Sequence, residues 1–397
     1  MSNDQLTTPG SDRATAAYLG PLGLDATTDA DLVDATAATI AEPRAQAADS
    51  FILHAPLELL SRAALLPMVE PNRREAARER LRSLADSFVA WGAAADSPPD
   101  GKSSFGSEAD ALTTLQAAVA GGELDDADGA AAWLADRLGA DELRSALADV
   151  VLPLLSAAGH GSIFLYHLPR VAPRSADAAR MLRSLVRELA RNPGWDLSWF
   201  RTVPVPSPRL AGSPTDLAGE LAQRLVRPPS PGHPGSDFIF PMMSLNERSG
   251  LAQAALHDLV PHLPLADARR VLLRTAAQSM LQDDPTHAPY GWSHCLTMPQ
   301  AALGVAASCA EPWHATAVAA TYVLTFRAIQ GGVALDHTWT PERPVAIDLA
   351  EVLGTDPHRA AATAFHAAPA DRPAIRASLA SRAAAHHDAH LVKHTLA

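Results

Sequence analysis

The residues in this chain best suited to chemistry are histidines that occur inside apolar, helix-forming sequence. His54 lies in FILHAPL, His160 and His167 lie in AGHGSIFLYHLP, His294 lies in GWSHCLTMP, and His390 lies close to the C-terminus. For any one of them, a hydrogen-bonded position in the core is the commoner role. Several buried imidazoles would each need a separate partner, whereas one transition-metal ion would satisfy them together. The pattern therefore indicates a shared metal site.

One lysine near the C-terminus is a second candidate for chemistry. The chain has 32 basic residues, of which only Lys102 and Lys393 are lysines, and Lys393 follows His390 by three residues. This spacing places both side chains on one face of a helix. A desolvated lysine can lose its proton and act as a base, a nucleophile or a modified ligand, which an arginine cannot do. The alternative is a frayed polar tail.

The residues around these histidines exclude several familiar kinds of site. No aspartate or glutamate stands near them in an ExxH or HExxH pattern, which argues against a di-iron carboxylate bundle and a zincin. His160 and His167 are separated by about 10 Å along a helix, so the two can hardly bind one ion, and the same holds for His287 and His294. The chain has no GxSxG motif, so a serine hydrolase is disfavoured.

Composition favours a helical protein that binds neither nucleic acid nor membrane. Apolar residues make up 47% of the 397 residues, alanine is abundant, and β-branched or aromatic runs are scarce. The net charge of −12 and the lack of a basic stripe exclude a nucleic-acid partner. The sequence has no signal peptide, no nucleotide-binding glycine motif and no apolar run of roughly 18 residues, so we expect a cytoplasmic location.

The helical segments predict an all-α protein, a single large irregular helical domain with a long Pro-rich insertion. Residues 1–28 are expected to form a flexible N-terminal arm, and residues 29–397 to form the domain. The insertion, residues 201–241, is expected to be a lid over the site or an oligomer contact, as in a homodimer. Besides one helix near Pro56, the predicted helices span residues 29–40, 75–91, 107–120, 125–138, 141–158, 178–192, 216–225, 247–260, 266–282, 298–310, 314–331, 346–353, 357–365 and 373–393.

Four short motifs resemble those of the questin oxidase-like family, in the same order along the chain. They are HAP at His54, AGHG at His160 with a second histidine seven residues later, HCLTMPQA at His294, and DAHLVKH at His390. Bacterial members of that family carry NHGPM, THGxxRTxHA, VHAxTAP and DEHVxKF in the corresponding order. Each motif is short, so the specificity of the resemblance rests on the collinear set.

This resemblance implies an all-helical oxygenase that acts on aromatic polyketides such as anthraquinones. It implies a metal ion, iron in one fungal member, bound by His54, His160, His294, His390 and Lys393. Lys393 would be an N-carboxylysine, a carbamylated lysine whose carbamate supplies the oxygen ligand that the sequence otherwise lacks. Carboxylation needs a neutral amine, and burial among other cationic groups keeps a lysine neutral.

Two positions depart from the pattern of the family. Phe164 stands where bacterial relatives have an arginine and fungal ones often have a histidine. Leu53 replaces the asparagine that precedes the first histidine. Either change would alter the ligand count or the substrate, and His167 or His287 would then be the additional ligand or catalytic group.

The leading hypothesis is an O2-dependent non-haem oxygenase that uses Fe(II) on a small aromatic substrate. Tyr290 and Trp292, beside one metal motif, are expected to contact this flat substrate, with core packing as the alternative role. The sequence leaves open whether NADPH is needed as an external reductant. One rival hypothesis is a zinc-dependent hydrolase or lyase that activates water, and another is a non-catalytic helical protein that has kept only the fold.

Overall fold

The fold is all-α, which confirms the prediction from the sequence. The computed structural model describes residues 28–47, 50–95, 104–170, 181–203, 216–236, 238–283, 289–344 and 356–396. Within these residues the chain forms α-helices and short 3-10 helices without a β-strand, and its only β-pairing is two isolated bridges. The predicted arm, apart from Thr28, and the predicted helix at 346–353 lie outside the described residues.

Seventeen α-helices are present in the described part of the chain, numbered here in chain order. They are α1 Asp29–Ile40, α2 Ser50–Leu65, α3 Arg74–Trp91, α4 Glu108–Gly121, α5 Leu124–Ala135, α6 Ala140–Val151, α7 Gly161–His167, α8 Leu182–Arg191, α9 Leu217–Val226, α10 Ile239–Ser249, α11 Leu251–Leu256, α12 Leu265–Gln282, α13 Pro289–Gly304, α14 Pro312–Gln330, α15 Pro357–His366, α16 Arg372–Ala385 and α17 Ala389–Leu396. Side chains of Thr28, Ser107 and Asp216 accept a backbone hydrogen bond at the starts of α1, α4 and α9. These caps fix the starts of three helices that the sequence locates to within one residue.

The predicted helix at 298–310 is wrong at both ends. The sequence predicts a start at Met298, but α13 spans Pro289–Gly304 and passes through Pro299, so His294 lies inside the helix. Pro299 cannot donate a backbone hydrogen bond. The helix tolerates this loss because it is enclosed by the core, where Met298 beside the proline is fully buried.

Helix α2 also contains a proline in its interior. The sequence places Pro56 in a first turn with His54 just ahead of it. The helix instead begins at Ser50, so His54 lies within α2 and its side chain is held by regular backbone.

Three other predicted helices are interrupted or end early. Helix α6 ends before the predicted 141–158 segment does, because Pro153 follows its C-cap and cannot continue a helix. The predicted helix at 247–260 is divided at Gly250, which has a left-handed φ of 69°. The predicted helix at 373–393 is divided by a turn between α16 and α17, and this places the C-terminal histidine and lysine on a separate helix.

The core is centred on α14, which is buried on nearly all of its faces, as its continuous apolar sequence requires. Helices α12 and α13 pack against α14 and against each other. Helix α13 also contacts α7 and α17, and α2 contacts the same two helices. The four helices α2, α7, α13 and α17 therefore form a closed ring, and this ring positions the site.

The described part of the 201–241 insertion packs on the body of the fold. Helix α9 lies against α12 and α14 and buries Leu221 and Leu225 completely. The guanidinium of Arg224 on the same helix forms an ion pair with Asp258 at 2.7 Å. The role of the insertion as a lid or an oligomer contact stays a prediction, and residues 204–215 lie outside the described part.

The segment that leads into α7 has an unusual backbone. Ala157, Ala158 and Gly159 have successive φ angles of 52°, 51° and 67°. The left-handed region costs roughly 1 kcal/mol or more for each alanine, and such strain concentrates at functional sites. This turn ends directly at His160.

We expect Gly159→Ala to destabilise the protein by about 1–3 kcal/mol more than Gly194→Ala. Both glycines have positive φ, but a Cβ at Gly159 would lie 2.5 Å from Cε of the buried Met298, whereas one at Gly194 would meet nothing within 4 Å. The free energy of unfolding in urea measures the difference. Equal losses in the two variants would show that the close packing at Gly159 is not a constraint.

Candidate metal centre

Three histidines from separate segments meet at the centre of the helix ring. His54 comes from α2, His160 from the turn before α7, and His294 from α13, and all three are buried. Their ligand nitrogens lie within 4.8 Å of one another. Nε2 of His160 is 3.1 Å from Nε2 of His294, and the rings of His54 and His160 are 4.8 Å apart in an edge-to-face arrangement.

Helix α17 adds the C-terminal histidine and lysine to this cluster. The ring centroid of His390 lies 4.5 Å from that of His54 and 5.2 Å from that of His294. Nζ of Lys393 lies 3.2 Å from Nε2 of His160, and the lysine is 0% exposed. The C-terminus is therefore a packed element of the core, and the alternative of a frayed tail is wrong.

These separations suit ligands of a common ion. Nitrogen ligands at about 2.1 Å from one ion lie roughly 3.0–3.4 Å apart in octahedral or tetrahedral geometry. The His160–His294 nitrogen distance of 3.1 Å falls in that range. The ligand nitrogens of His54 lie within 4.8 Å of those of His160 and His294, and the ring of His390 lies beside the rings of His54 and His294.

Two of the imidazoles are oriented by contacts at the ring nitrogen away from the cluster. Nδ1 of His160 lies 3.1 Å from the carbonyl of Ala157, and Nδ1 of His390 lies 3.2 Å from Oδ1 of Asp388. A donor hydrogen bond from Nδ1 leaves the lone pair on Nε2, which is how metal-binding histidines are usually held. The strained turn before α7 thus supplies the carbonyl that fixes the tautomer of His160.

Burial favours the neutral forms of two basic groups in this cluster. Desolvation, followed by the nearby Lys393, His54 and His294, holds the pKa of His160 well below its ordinary value. Desolvation also lowers the pKa of Lys393 to about 7, although Asp388 acts in the opposite direction. His160 and Lys393 therefore lose their protons more readily than they would in water, and the neutral form is the one in which imidazoles and amines bind metals.

A buried ion network fixes α17 against α2. Arg62 on α2 is 1% exposed, and its Nε donates to Glu58 at 2.9 Å. The same guanidinium donates to the carbonyls of Ala384, in the last turn of α16, and of His386, just after that helix. These bonds fix the segment before α17 against α2. Glu58, which anchors Arg62, follows His54 on α2 by four residues.

The structure describes the side chains of two of the four predicted catalytic residues, His167 and Trp292. His167 is buried at the opposite end of α7 from His160, and its ring contacts that of Tyr166 at 4.8 Å. Trp292 is buried, and its ring faces the guanidinium of Arg327 at 5.6 Å, which is a core position. His287 lies outside the described residues, and Tyr290 lies in the first turn of α13 with its side chain outside them.

His394 is a neighbour of the centre for which the sequence suggested no role. Its ring lies 6.1 Å from that of His390 and 6.3 Å from that of His294. Desolvation, followed by Lys393 and His390, lowers its pKa to about 3, and its Nε2 is buried without a hydrogen-bond partner. The sequence could have indicated this position, because His394 follows His390 by four residues and residues at that spacing share one face of a helix.

Comparison of the chain with protein-family models, with curated proteins and with solved structures finds no match in any of the three. Among the described helices, none is long and apolar enough to cross a lipid bilayer. The family resemblance and the oxygenase activity therefore stay predictions.

We expect the metal-free protein to lose stability as the pH falls from about 6.5 toward 5. When the pKa of a histidine is lower in the folded than in the unfolded state, the unfolded chain binds a proton at a higher pH. Lowering the pH between these two pKa values therefore favours unfolding. For His394 that window runs from 6.5 down to about 3. Urea unfolding at several pH values should show a shallower pH slope for His394→Gln than for the wild type.

The matched control for this measurement is the exposed His233. His233→Gln should leave the slope unchanged. The same slope in His394→Gln and the wild type would mean that His394 takes up its proton equally well in the folded protein.

Proposed function

We propose that this protein is a metal-dependent enzyme whose ion is bound by His54, His160, His294 and His390. The convergence of these side chains from four parts of the chain carries the proposal. If several of these four imidazoles were protonated within the apolar core, their positive charges would repel one another. If they stayed neutral, their nitrogen lone pairs would be buried, and a bound cation would satisfy them. The ring of helices holds these side chains together before the ion binds.

The remaining ligand in this proposal comes from Lys393 as a carbamate. The neutral Nζ lone pair attacks the carbon of CO2, a C–N bond forms, and the nitrogen loses one proton to water or a nearby base. The product carries one negative charge and two oxygen atoms. It would supply an anionic oxygen donor, since Asp388, the carboxylate that the described residues bring to the cluster, contacts His390 instead.

We infer that the ion is iron and that the activity is an O2-dependent oxidation of a small aromatic substrate. Imidazoles with one carboxylate-like oxygen form the ligand class of non-haem iron(II) oxygenases. When bound, iron(II) would supply open coordination positions and one-electron chemistry with O2. The four-motif resemblance supports the same class, with an anthraquinone-like polyketide as the substrate and NADPH as a candidate reductant.

A zinc-dependent hydrolase or lyase is the second candidate. The observation that favours it is the buried cluster of His54, His160 and His294, because three histidines are a ligand set of catalytic zinc. The two candidates differ in the oxygen donor. The zinc site would need no carbamate and would leave Lys393 as a free amine.

The metal content of tag-free protein tests the centre. We expect about one ion per chain in the wild type and a loss of at least tenfold in affinity for His160→Ala and His294→Ala, because each loses one buried ligand. His233→Ala, which changes an exposed histidine, should load normally. Full loading of both site variants would contradict the proposal, and stoichiometric zinc without iron would favour the second candidate.

Carbon-13 NMR of protein equilibrated with labelled bicarbonate tests the carbamate. With only two lysines in the chain, a carbamate resonance has few possible sources. We expect the resonance in the metal-loaded wild type and in Lys102→Met, and its absence in Lys393→Met. A resonance that persists in Lys393→Met would remove this lysine from the centre.

Oxygen consumption tests the reaction class. Iron-loaded protein should consume O2 when anthrone or anthraquinone substrates are supplied, with and without NADPH, and His160→Ala should reduce the rate by at least about a hundredfold. Iron-loaded protein that consumes no O2 with any of these substrates, but hydrolyses esters when loaded with zinc, would overturn the oxygenase proposal.

A further inference from the structure

A cavity lies between α9, α12 and the loop that contains His337. Its volume is about 210 Å3. For comparison, an engineered protein cavity of about 150 Å3 holds benzene, a ligand of six heavy atoms. None of the described residues on its wall belongs to the proposed metal centre or to the four helices around it. The cavity therefore has room for a small ligand at a place separate from the metal ion.

His337 closes one end of this cavity by bridging α9 and α12. Its Nε2 lies 2.8 Å from the carbonyl oxygen of Ala222 on α9, and its Nδ1 lies 2.9 Å from Oε1 of Gln278 on α12. The carbonyl of His337 accepts a hydrogen bond from Nη2 of Arg274 at 2.8 Å. The guanidinium of Arg274 is therefore held at the closed end, where both ring nitrogens of His337 are already engaged.

Besides His337, the ionisable side chains on the wall are two arginines and one aspartate. Arg270 and Arg274 lie one turn apart on α12, and Asp216 stands at the start of α9. Arg270 is paired with Asp267 at 2.7 Å. Arg274 has no acid partner in the part of the chain that the structure describes, and its printed contact is to a backbone carbonyl. Its positive charge is therefore the one left for a ligand.

Two further acids lie near the cavity but are not part of its wall. Glu220, on α9, is paired with Arg224 on the same helix. Asp336 lies next to the closed end, and its Oδ1 accepts hydrogen bonds from the backbone N and from Oγ1 of Thr338 at 2.8 and 2.6 Å. Within the described residues neither acid forms an ion pair with the guanidinium at the closed end, so a ligand carboxylate can take that place.

Asp216 brings a negative charge to the other end of the cavity. Its Oδ1 accepts a hydrogen bond from the backbone N of Gly219 at 2.8 Å, which caps α9. Asp216 has no basic partner among the described residues, and it precedes Ala222 by six residues, about 9 Å along the helix. Thr275 lines the cavity as well, and its Oγ1 is buried without a hydrogen-bond partner. The cavity thus offers one charge of each sign, set apart from each other, and one unsatisfied hydroxyl.

We propose that this cavity binds a small zwitterion of the ω-amino acid class. The carboxylate of the ligand is bound by the guanidinium of Arg274 at the closed end, and its ammonium group is bound by Asp216 at the start of α9. A short methylene chain between them covers the apolar side chains of Ala218 and Val271. The carboxylate also provides an acceptor for the hydroxyl of Thr275. This binding needs no metal ion.

Calorimetric titration of the full-length protein with 4-aminobutanoate tests this proposal. Amino acids also coordinate metal ions, so the protein is first freed of metal with a chelator. We expect 4-aminobutanoate to bind about threefold more tightly, or better, than butanoate, butylamine and its isomer 2-aminobutanoate. Butanoate and butylamine each lack one of the two charges, and 2-aminobutanoate carries both of them on one carbon, so none of the three can form both charged contacts.

Substitutions at the two charged ends sharpen the test. Arg274→Gln should weaken the binding of 4-aminobutanoate by about fivefold or more, because the carboxylate loses its charged donor. Asp216→Asn should remove the advantage of 4-aminobutanoate over butanoate and leave the free energy of unfolding nearly unchanged, since asparagine caps a helix as well as aspartate does. Arg269→Gln is the matched control. Arg269 is exposed on α12 and does not line the cavity, so this variant should bind like the wild type.

Three results would overturn the proposal. They are no binding of 4-aminobutanoate to the wild type, equal affinity of the wild type for 4-aminobutanoate and any of the three comparison ligands, and wild-type affinity in an Arg274→Gln variant whose circular dichroism shows that it is folded. Because the titrated protein is free of metal, these results are independent of the proposed metal centre, which the metal analysis of the histidine variants tests separately.

Discussion

The interior of this protein gathers several basic nitrogen atoms at one point, and the rest of the structure depends on this constraint. In water, imidazoles and amines are readily protonated. Between α2, α7, α13 and α17, burial makes each positive charge costly, and the lowered pKa values of His160 and Lys393 show the direction of that cost. Neutral lone pairs that face one another have to be satisfied by donors or by a cation. One metal ion would satisfy several of these lone pairs at once. The packing of the four helices and the tautomers of the histidines both suit such an ion, and the chemistry we propose depends on it.

Preorganisation of this centre comes from contacts that lie one layer outside it. The Ala157 carbonyl and Asp388 fix the rings of His160 and His390, at the expense of a strained turn in one case and a half-buried carboxylate in the other. The Arg62–Glu58 pair ties the turn before α17 to α2 and so helps to hold α17 in the ring of helices.

The sequence predicted the all-α class and several helix starts because these follow from local chemistry: alanine content, capping side chains such as Ser107 and Asp216, and apolar periodicity. It was wrong where burial outweighed local preference. Pro56 indicated a helix start, and another helix was predicted to begin at Met298. Pro56 and Pro299 instead lie within helices whose surroundings compensate for the missing hydrogen bond. The turn between α16 and α17 also went unpredicted, because the carbonyls at its start are satisfied by Arg62, more than three hundred residues away.

What the sequence determined by itself was the set of candidate ligands, since histidines in apolar segments and a rare lysine are visible without coordinates. It also excluded pairs seven residues apart on one helix, because the rise of an α-helix separates them. Only the tertiary structure decided which candidates meet. It brought His54, His160, His294, His390 and Lys393 together, left His167 and Trp292 in the surrounding core, and added His394. The physical reason is that convergence depends on the packing of four helices distant in sequence, and no local pattern records how those helices are set against one another.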